Sequence, residues 1–177
     1  TLKFAHHISK FTKIILIKKM NKSSEEFMKE AILLSNESIK NKTGGPFGAV
    51  IVKDGKIISR ESNKVTAAND PTAHAEIEAI RSACKNLNTF ILEGCDIYTS
   101  CEPCPMCLSA IYWARISNIY YANTREDAAA LDFDDEFLYE EIKKSVDQRK
   151  IPMKQLLRNE ANIVFKEWQN KEDKIHY

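Results

Sequence analysis

The segment Ala49-Val50-Ile51-Val52-Lys53-Asp54-Gly55-Lys56, residues 49–56, carries the local signals that decide the fold. Its first four residues are apolar and three of them are β-branched, which predicts a buried strand. The Asp-Gly pair between Lys53 and Lys56 predicts a tight hairpin turn, and a second strand follows from Lys56 to about Ser62. An antiparallel hairpin therefore lies near the start of the sheet.

Helical patterns lie on both sides of this hairpin. Ser23-x-x-Glu26 is a capping box, the apolar residues after it repeat at helical spacing over about 24–42, and Gly44-Gly45-Pro46 ends the helix. Beyond the hairpin the pattern predicts a helix, a strand, a helix, a strand and a helix at about 73–86, 96–99, 104–114, 116–121 and 156–168. This alternation predicts an α/β fold, a three-layer α/β/α sandwich with a mixed sheet of about five strands.

The composition is that of one globular domain. The chain has 177 residues, of which 44% are hydrophobic and 29% are charged, and its net charge is +1. The apolar run Ile14–Ile17 is far shorter than the roughly 20 residues of a membrane span, so we expect no membrane partner. Residues 1–22 hold six lysines and no acid, which leaves 20 basic against 25 acidic residues in the rest. This mildly acidic remainder argues against a nucleic-acid partner.

Residues 1–19 stand apart from the rest of the chain. They lack acids and precede Met20-Asn21-Lys22, which reads like a natural start. They can be a basic targeting peptide or a remnant of cloning or of upstream translation, and the second interpretation is favoured. We expect residues 1–19 to be poorly ordered and residues 20–177 to form a single domain with a C-terminal segment that exchanges between subunits.

The five cysteines point to metal chemistry. An odd number excludes a full disulfide framework within one chain, and three of the five lie at Cys101, Cys104 and Cys107. Such close spacing is typical of a metal site, and free thiols suit a reducing cytoplasm, where we expect the protein to be located.

Two motifs together suggest a catalytic metal. His74 and the Cys104-x-x-Cys107 pair offer three ligands that suit zinc and leave the fourth tetrahedral position open, as in catalytic zinc sites. Both motifs are predicted where helices begin, where the positive helix end favours thiolates. Glu76 follows His74 by two residues, so its carboxylate can reach over the metal and carry a proton without binding it.

Less specific interpretations of these motifs remain open. Cys-x-x-Cys alone can be a structural zinc knuckle or a redox motif. Cys101 can complete a closed Cys₃His site, or it can pack near the metal without binding it. A closed site would make the protein a zinc-stabilised binding module without catalysis, although a structural zinc has no need of the Glu76 carboxylate.

The combination of motifs resembles the cytidine deaminase-like zinc deaminases. The residues that carry the resemblance are Gly45–Val52, Asn63, Asp70–Glu76 and Thr99–Cys107. Downstream, Phe133-Asp134-Asp135-Glu136-Phe137 and Ile151-Pro152 are similar to the bacterial-type guanine deaminases of this superfamily. The resemblance implies one zinc ion per chain held by His74, Cys104 and Cys107, with Glu76 as the proton shuttle. It further implies a homodimer whose C-terminal segment crosses to the partner's active site.

The activity implied by the resemblance is hydrolysis of guanine to xanthine and ammonia by a zinc-activated water. Alternative substrates are the adenosine of a tRNA, which would be converted to inosine, and guanosine or a related amino-heterocycle. A tRNA substrate would require a basic surface and an open pocket, which the acidic charge balance does not favour.

The resemblance also suggests roles for residues outside the metal site. Asp135 is the candidate for a second proton transfer, with Asp134 as the adjacent alternative and Asp132 as a lesser one. Asn63 is expected to read the purine edge, and the backbone of Ala75 to help hold it. Further candidates for substrate binding are Phe47 and Trp113 as stacking walls and Tyr177 as a lid from the partner.

Overall fold

The structure, a computed structural model, describes residues 23–176, and residues 1–22 and Tyr177 lie outside this range. The expectations for residues 1–19 and for Tyr177 therefore concern parts of the chain that it does not describe. The helices are α1 Ser24–Asn41, α2 Val65–Ala68, α3 Ala75–Leu87, α4 Pro105–Trp113, α5 Arg125–Ala129, α6 Glu136–Lys143 and α7 Arg158–Asn170. The strands are β1 Gly48–Lys53, β2 Lys56–Ser62, β3 Cys95–Cys101 and β4 Asn118–Asn123.

The strands form one mixed sheet in the order β2-β1-β3-β4. β1 pairs antiparallel with both β2 and β3, whereas β3 and β4 are parallel. Within residues 23–176 the sheet has four strands, so the expected number of about five was one too many. The chain turns into α5 directly after β4, because Thr124 and Asp127 form a capping box that starts a helix.

The hairpin places β1 at the centre of the fold, covered on both faces. Ala49 and Ile51 face the layer of α3 and α4, and Val50 and Val52 face α1. All four side chains are at most 4% exposed. Fully burying a side chain such as Ile51 is worth about 1.5–3 kcal/mol, so both helix layers gain from this strand. The three-layer α/β/α architecture predicted from the sequence is confirmed.

The turn between β1 and β2 has the predicted chemistry. Asp54 and Gly55 have φ angles of 50° and 72°, which is the pairing of two positive values that a type I′ hairpin requires. The helix before the hairpin begins with the predicted capping box of Ser23 and Glu26. It ends at Asn41 with Lys42 in the left-handed conformation, slightly before the glycines that were expected to end it.

The C-terminal quarter of the chain packs differently from the rest. No side chain from residue 142 to residue 176 is buried. Several of the exposed side chains are large and apolar, among them Ile151 at 78%, Leu156 at 81% and Phe165 at 75%. No helix within residues 23–176 combines the length and apolar character that crossing a membrane would demand.

Candidate active site

The site is built where the N-termini of α3 and α4 converge. His74 is the N-cap of α3 and Cys104 is the N-cap of α4, both with extended backbone, and Pro105 occupies the first turn of α4. Neither side chain makes a capping hydrogen bond, and both face a common point, where His74 Nδ1 meets Cys104 Sγ. The prediction that both ligand motifs lie at helix starts is confirmed, and the positive helix ends favour thiolates there.

The spacing of the three donor atoms suits a tetrahedral zinc site. His74 Nδ1 lies 3.6 Å from Cys104 Sγ and 3.5 Å from Cys107 Sγ. Zinc bonds of ~2.0–2.1 Å to nitrogen and ~2.3 Å to sulfur, at tetrahedral angles, require an N···S separation of about 3.6 Å. Within the described residues, His74, Cys104 and Cys107 are the only group of His, Cys, Asp or Glu side chains with a metal-binding arrangement. The donor set and its spacing therefore fit zinc.

The thiols of the site differ in acidity. Hydrogen bonds from Cys107 and His74 lower the pKa of Cys104 to about 4, whereas the neighbouring Cys104 sulfur and burial raise the pKa of Cys107. The pKa of His74 is raised, mainly by its hydrogen bond to Cys104. Because metal ligands must be deprotonated, binding of a cation here releases protons from this cluster.

Cys101 lies close to the trio but is not part of it. Its Sγ donates a hydrogen bond to the Thr124 carbonyl at 3.4 Å, and burial raises its pKa to about 11. A thiol in this state behaves as a small buried side chain. The arrangement favours the open three-ligand site over the closed Cys₃His site.

Two members of the trio, His74 and Cys104, line a cavity of about 710 Å³, which is within the usual size range for small-molecule sites, and Cys107 is buried behind them. Its lining comprises Gly44, Gly45, Phe47, Asn63, Val65, Thr66, Pro71, His74, Glu76, Cys101, Glu102, Cys104, Met106, Arg125, Ala128, Phe133, Asp134, Asp135, Phe137 and Leu138. The structure thus gathers the metal-ligand candidates, Glu76, Asp135, Asn63 and Phe47 around one space.

Glu76 lies at the floor of this cavity, in the first turn of α3. It is only 6% exposed, and burial raises the pKa of its carboxyl group. The Thr99 hydroxyl donates a hydrogen bond to Glu76 Oε1 at 3.3 Å. A buried carboxyl group with a raised pKa can take up and return a proton near neutral pH.

Asn63 presents one defined end of its amide to the cavity. Its Oδ1 accepts hydrogen bonds from the backbone N–H groups of Gly45 at 3.3 Å and of Val65 at 3.1 Å. Gly44 makes this approach possible, because a Cβ at that position would lie 1.9 Å from Asn63 Oδ1. With its oxygen engaged by two backbone donors, Asn63 is left with its NH₂ group as a donor.

Two phenylalanines form an aromatic wall of the cavity. The rings of Phe47 and Phe133 meet edge to face, with centroids 5.1 Å apart and an interplanar angle of 83°. Phe47 was predicted as a stacking wall, whereas Phe133 stood out in the sequence only as part of an acidic motif. The position of Phe133 directly before Asp134 and Asp135 was the one signal for its role, since it anchors the loop that carries them.

The two neighbouring aspartates have different environments. Asp134 Oδ1 accepts a hydrogen bond from the backbone N–H of Glu136 at 2.9 Å, so it stabilises the start of α6. Asp135 makes no such capping bond. Burial raises the pKa of Asp135, and the nearby charge of Cys104 raises it further. Of the two, Asp135 is therefore the one whose carboxyl group does not cap α6.

Two predicted substrate contacts are not brought to the cavity lining. The prediction for Ala75 concerns its backbone and stays a prediction; Ala75 is not among the lining residues, and its side chain is fully buried in the core below α3. Trp113 is 70% exposed at the end of α4 and lies beside Ser109, Tyr112 and Arg115 on another part of the surface. Tyr177 is outside the described residues. Arg125, which sequence reasoning missed, lines the cavity with its guanidinium 5.2 Å from the Tyr139 ring centroid.

Known proteins resemble this chain over both the metal site and the regions that follow it. Residues 21–123 match the family described as the cytidine and deoxycytidylate deaminase zinc-binding region. Guanine deaminase of Bacillus subtilis is 52% identical over 153 residues, which cover 86% of this chain and 98% of that protein. An X-ray structure of guanine deaminase from Bacillus subtilis superposes with a TM-score of 0.86 at 51% identity, covering 88% of this chain and 99% of that one.

A second group of relatives matches a shorter part of the chain. A tRNA-specific adenosine deaminase from Aquifex aeolicus is 45% identical over 98 residues. That match covers 55% of this chain and 64% of the tRNA enzyme. The similarity to guanine deaminase thus extends over far more of the chain than the similarity to the tRNA enzyme does.

Proposed function

Since this chain belongs to the cytidine and deoxycytidylate deaminase family, on its guanine deaminase branch, we propose that its cavity residues hydrolyse guanine to xanthine and ammonia as follows. The observation that carries the assignment is a donor trio suited to zinc, two of whose members line the same cavity as the buried Glu76. The enzyme is a zinc-dependent deaminase.

The metal-binding residues in this proposal are His74, Cys104 and Cys107. Zinc at an open three-ligand site supplies a Lewis acid that brings the pKa of a coordinated water to about 7. Pro105 and the first turn of α4 fix the direction of the two cysteines, and the N-cap position fixes His74.

Glu76 moves the protons on the floor of the cavity. It accepts a proton from the attacking water as the oxygen adds to C2 of guanine, and it delivers that proton to N3. It then transfers the second proton of that oxygen to the leaving nitrogen, the C2–N2 bond breaks, and ammonia departs. Water and guanine are consumed one for one, and no other reactant is needed.

Asp135 serves the departing nitrogen from the cavity wall. It lines the cavity, where burial and the charge of Cys104 raise the pKa of its carboxyl group, and it relays to the nitrogen the same proton that Glu76 passes on, so no extra proton is consumed. The neighbouring Asp134 is engaged with the backbone N–H of Glu136 and has a capping role in this account.

Asn63 recognises an acceptor on the purine. Because Gly45 and Val65 occupy its oxygen, its NH₂ group is the part that faces the base. Guanine presents such acceptors at its ring nitrogens and at O6. Phe47 and Phe133 then provide an apolar wall for the flat ring.

Replacing Asn63 with aspartate tests this polarity. In this variant the backbone N–H groups of Gly45 and Val65 would still donate to a side-chain oxygen. The NH₂ group that faces the purine would be replaced by a buried carboxylate oxygen, which cannot donate. We expect kcat/KM for guanine to fall at least about 100-fold, because an acceptor of the base would lose its donor and face a charge. Steady-state kinetics measure this.

Asn86→Asp makes the same change at an exposed site, where Asn86 donates to the Ile58 carbonyl, and should leave kcat/KM within a few-fold. An Asn63→Asp variant with wild-type kcat/KM would contradict the proposed contact.

The substrate is distinguished from its rivals by direct assay. Ammonia release from guanine is compared with release from guanosine, adenine, cytosine and cytidine, and inosine formation is measured in a tRNA bearing a target adenosine. Guanine is expected to react fastest by a wide margin. If the tRNA adenosine were converted faster than guanine, the protein would be a tRNA adenosine deaminase. The similarity over 98 residues to the tRNA-specific enzyme of Aquifex aeolicus is the observation that supports this second function.

The quaternary state in this proposal is a homodimer with exchanged C-terminal segments. The support is the stretch from residue 142 to residue 176, which has no buried side chain and in which Leu156, Phe165 and Trp168 are 81%, 75% and 45% exposed. Apolar surface of this extent is typical of a protein interface. Exchange of identical segments would cover it without any further partner.

Removal of residues 174–177 tests the role of this segment. If the segment closes the partner's cavity and excludes water, its loss should lower kcat/KM for guanine at least about tenfold. Zinc content and thermal midpoint should change less than kcat/KM does, because residues 174–176 are not buried in the core of their own chain. Sedimentation of the full chain should show a dimer. If the truncated protein were as active as the full chain, the segment would not act as a lid. If the full chain were a monomer, the proposed exchange of segments would be wrong.

Cellular location and pathway follow from the same chemistry. All five cysteines are free thiols, which supports the proposed cytoplasmic location. Conversion of guanine to xanthine removes the C2 amino group that guanine nucleotides carry, which supports a role in purine catabolism.

A further inference from the structure

We propose that Thr99 is the positioning residue for the proton-shuttling Glu76. The observation is the hydrogen bond from the Thr99 hydroxyl to Glu76 Oε1 at 3.3 Å, between two side chains that are 1% and 6% exposed. Holding one carboxylate oxygen at the floor leaves the other oxygen to exchange protons with water and substrate. This inference rests on the role of Glu76 in the proposed function.

The register of β3 directs Thr99 under the first turn of α3. Thr99 pairs with Ala49 of β1 and with Tyr121 of β4, so it lies in the interior of the sheet. Alternation along β3 places Thr99 on the same face as Ile97, which packs in the core beneath α3 and α4. The rigid centre of the sheet therefore fixes the hydroxyl relative to Glu76.

Thr99 is not among the residues that line the cavity. It cannot reach a substrate there, and it acts on the reaction only through Glu76. A buried hydroxyl needs a hydrogen-bond acceptor, and a backbone carbonyl is enough for that purpose. Ser59 is an example, since it donates to the backbone carbonyl of Ala79 at 2.9 Å. Thr99 instead directs its donor to the carboxylate on which the proton transfers depend.

A glutamate needs such support for a geometric reason. Its side chain has three rotatable bonds, and the same carboxylate must reach water, N3 and the leaving nitrogen in one cycle. A bond that fixes the terminal torsion keeps these distances within proton-transfer range. Without it, the carboxylate spends part of its time in rotamers from which no transfer occurs.

Thr99→Val removes the hydroxyl at nearly constant volume. We expect kcat for guanine to fall about 10- to 100-fold, the usual worth of a hydrogen bond to a charged group. KM should change less than about threefold, because no substrate contact is lost. Thr99→Ser keeps the hydroxyl and should retain kcat within about threefold. Zinc content should stay at that of the wild type in both variants.

Two controls separate positioning from packing. Ser59→Ala deletes a buried hydroxyl of the same sheet that does not contact Glu76, and its kcat should stay near the wild-type value. In a Glu76→Gln background, Thr99→Val should lower the residual rate less than about threefold, because the group it positions is already gone. Thr99→Ala replaces Thr99→Val in the same comparisons if the valine disturbs the sheet.

The proposal is overturned if Thr99→Val keeps the wild-type kcat, if Thr99→Ser is as impaired as Thr99→Val, or if the loss persists undiminished in the Glu76→Gln background. These outcomes concern Thr99 alone, because each compares a variant with its own parent. A wild-type enzyme that does not convert guanine would instead refute the proposed function.

Discussion

Glu76→Gln is expected to lower the rate of guanine deamination about 10⁴-fold while leaving the fold and the zinc content intact. The amide keeps the shape of the side chain and can still accept from Thr99, but it cannot take up and return a proton. A general acid–base group typically contributes about 10²–10⁴-fold to a rate, and one that serves several transfers should reach the upper end. Burial raises the pKa of Glu76, so a neutral replacement should not destabilise the protein.

Glu78→Gln provides the matched control for this variant. It makes the same substitution two residues further along α3, where the Glu78 carboxylate pairs with Lys64 and Arg81 outside the cavity. Turnover of guanine should stay close to wild type. If Glu76→Gln turned over guanine at a near-normal rate, the assigned proton shuttle would be wrong.

Loss of one metal ligand should have a comparably large effect. Cys107→Ser replaces a fully buried member of the trio, and the affinity for zinc should fall so far that the purified protein holds well under one ion per chain. Guanine turnover should fall in proportion to the zinc that is lost, and protein without zinc should show only background activity. Elemental analysis together with the activity of the same sample measures both.

Cys101→Ser distinguishes the open site from a closed one. Cys101 donates to the Thr124 carbonyl and does not belong to the trio, so this variant should keep one zinc per chain and most of its activity. Loss of zinc from Cys101→Ser would identify a fourth protein ligand. That result would make the site structural and would remove the catalytic interpretation.

Short-range signals account for most of what the sequence predicted correctly. The capping box at Ser23 and the Asp54-Gly55 turn each satisfy backbone groups within a few residues, so tertiary context did not change them. The ligand motifs also act locally, because His74 and Cys104 cap the helices that direct them. The spacing of these motifs along the chain was therefore enough to identify the donor trio.

Features that depend on distant surfaces were not predictable in this way. Trp113 has the same helical spacing as core residues, yet it is 70% exposed, since no layer of the described chain covers the end of α4. The Asn63 side-chain oxygen is held by Val65, two residues away, and by Gly45, 18 residues away, and the contact with Gly45 has no local signal. In the sequence, Thr99 is only a polar residue within a strand. Its role becomes visible only from its contact with Glu76, which lies 23 residues away in the chain. The choice between Asp134 and Asp135 likewise needed the cap bond to Glu136.

The most direct measurement of the central claim is the reaction of guanine in water enriched in oxygen-18. The account predicts ammonia and xanthine in equal amounts, with one labelled oxygen in each xanthine at C2, and a rate about 10⁴-fold lower from the Glu76→Gln variant. Mass spectrometry of the purine and an ammonia assay on the same sample give both quantities. Unlabelled xanthine, or no xanthine from the zinc-loaded wild-type protein, would contradict hydrolysis of guanine at this site.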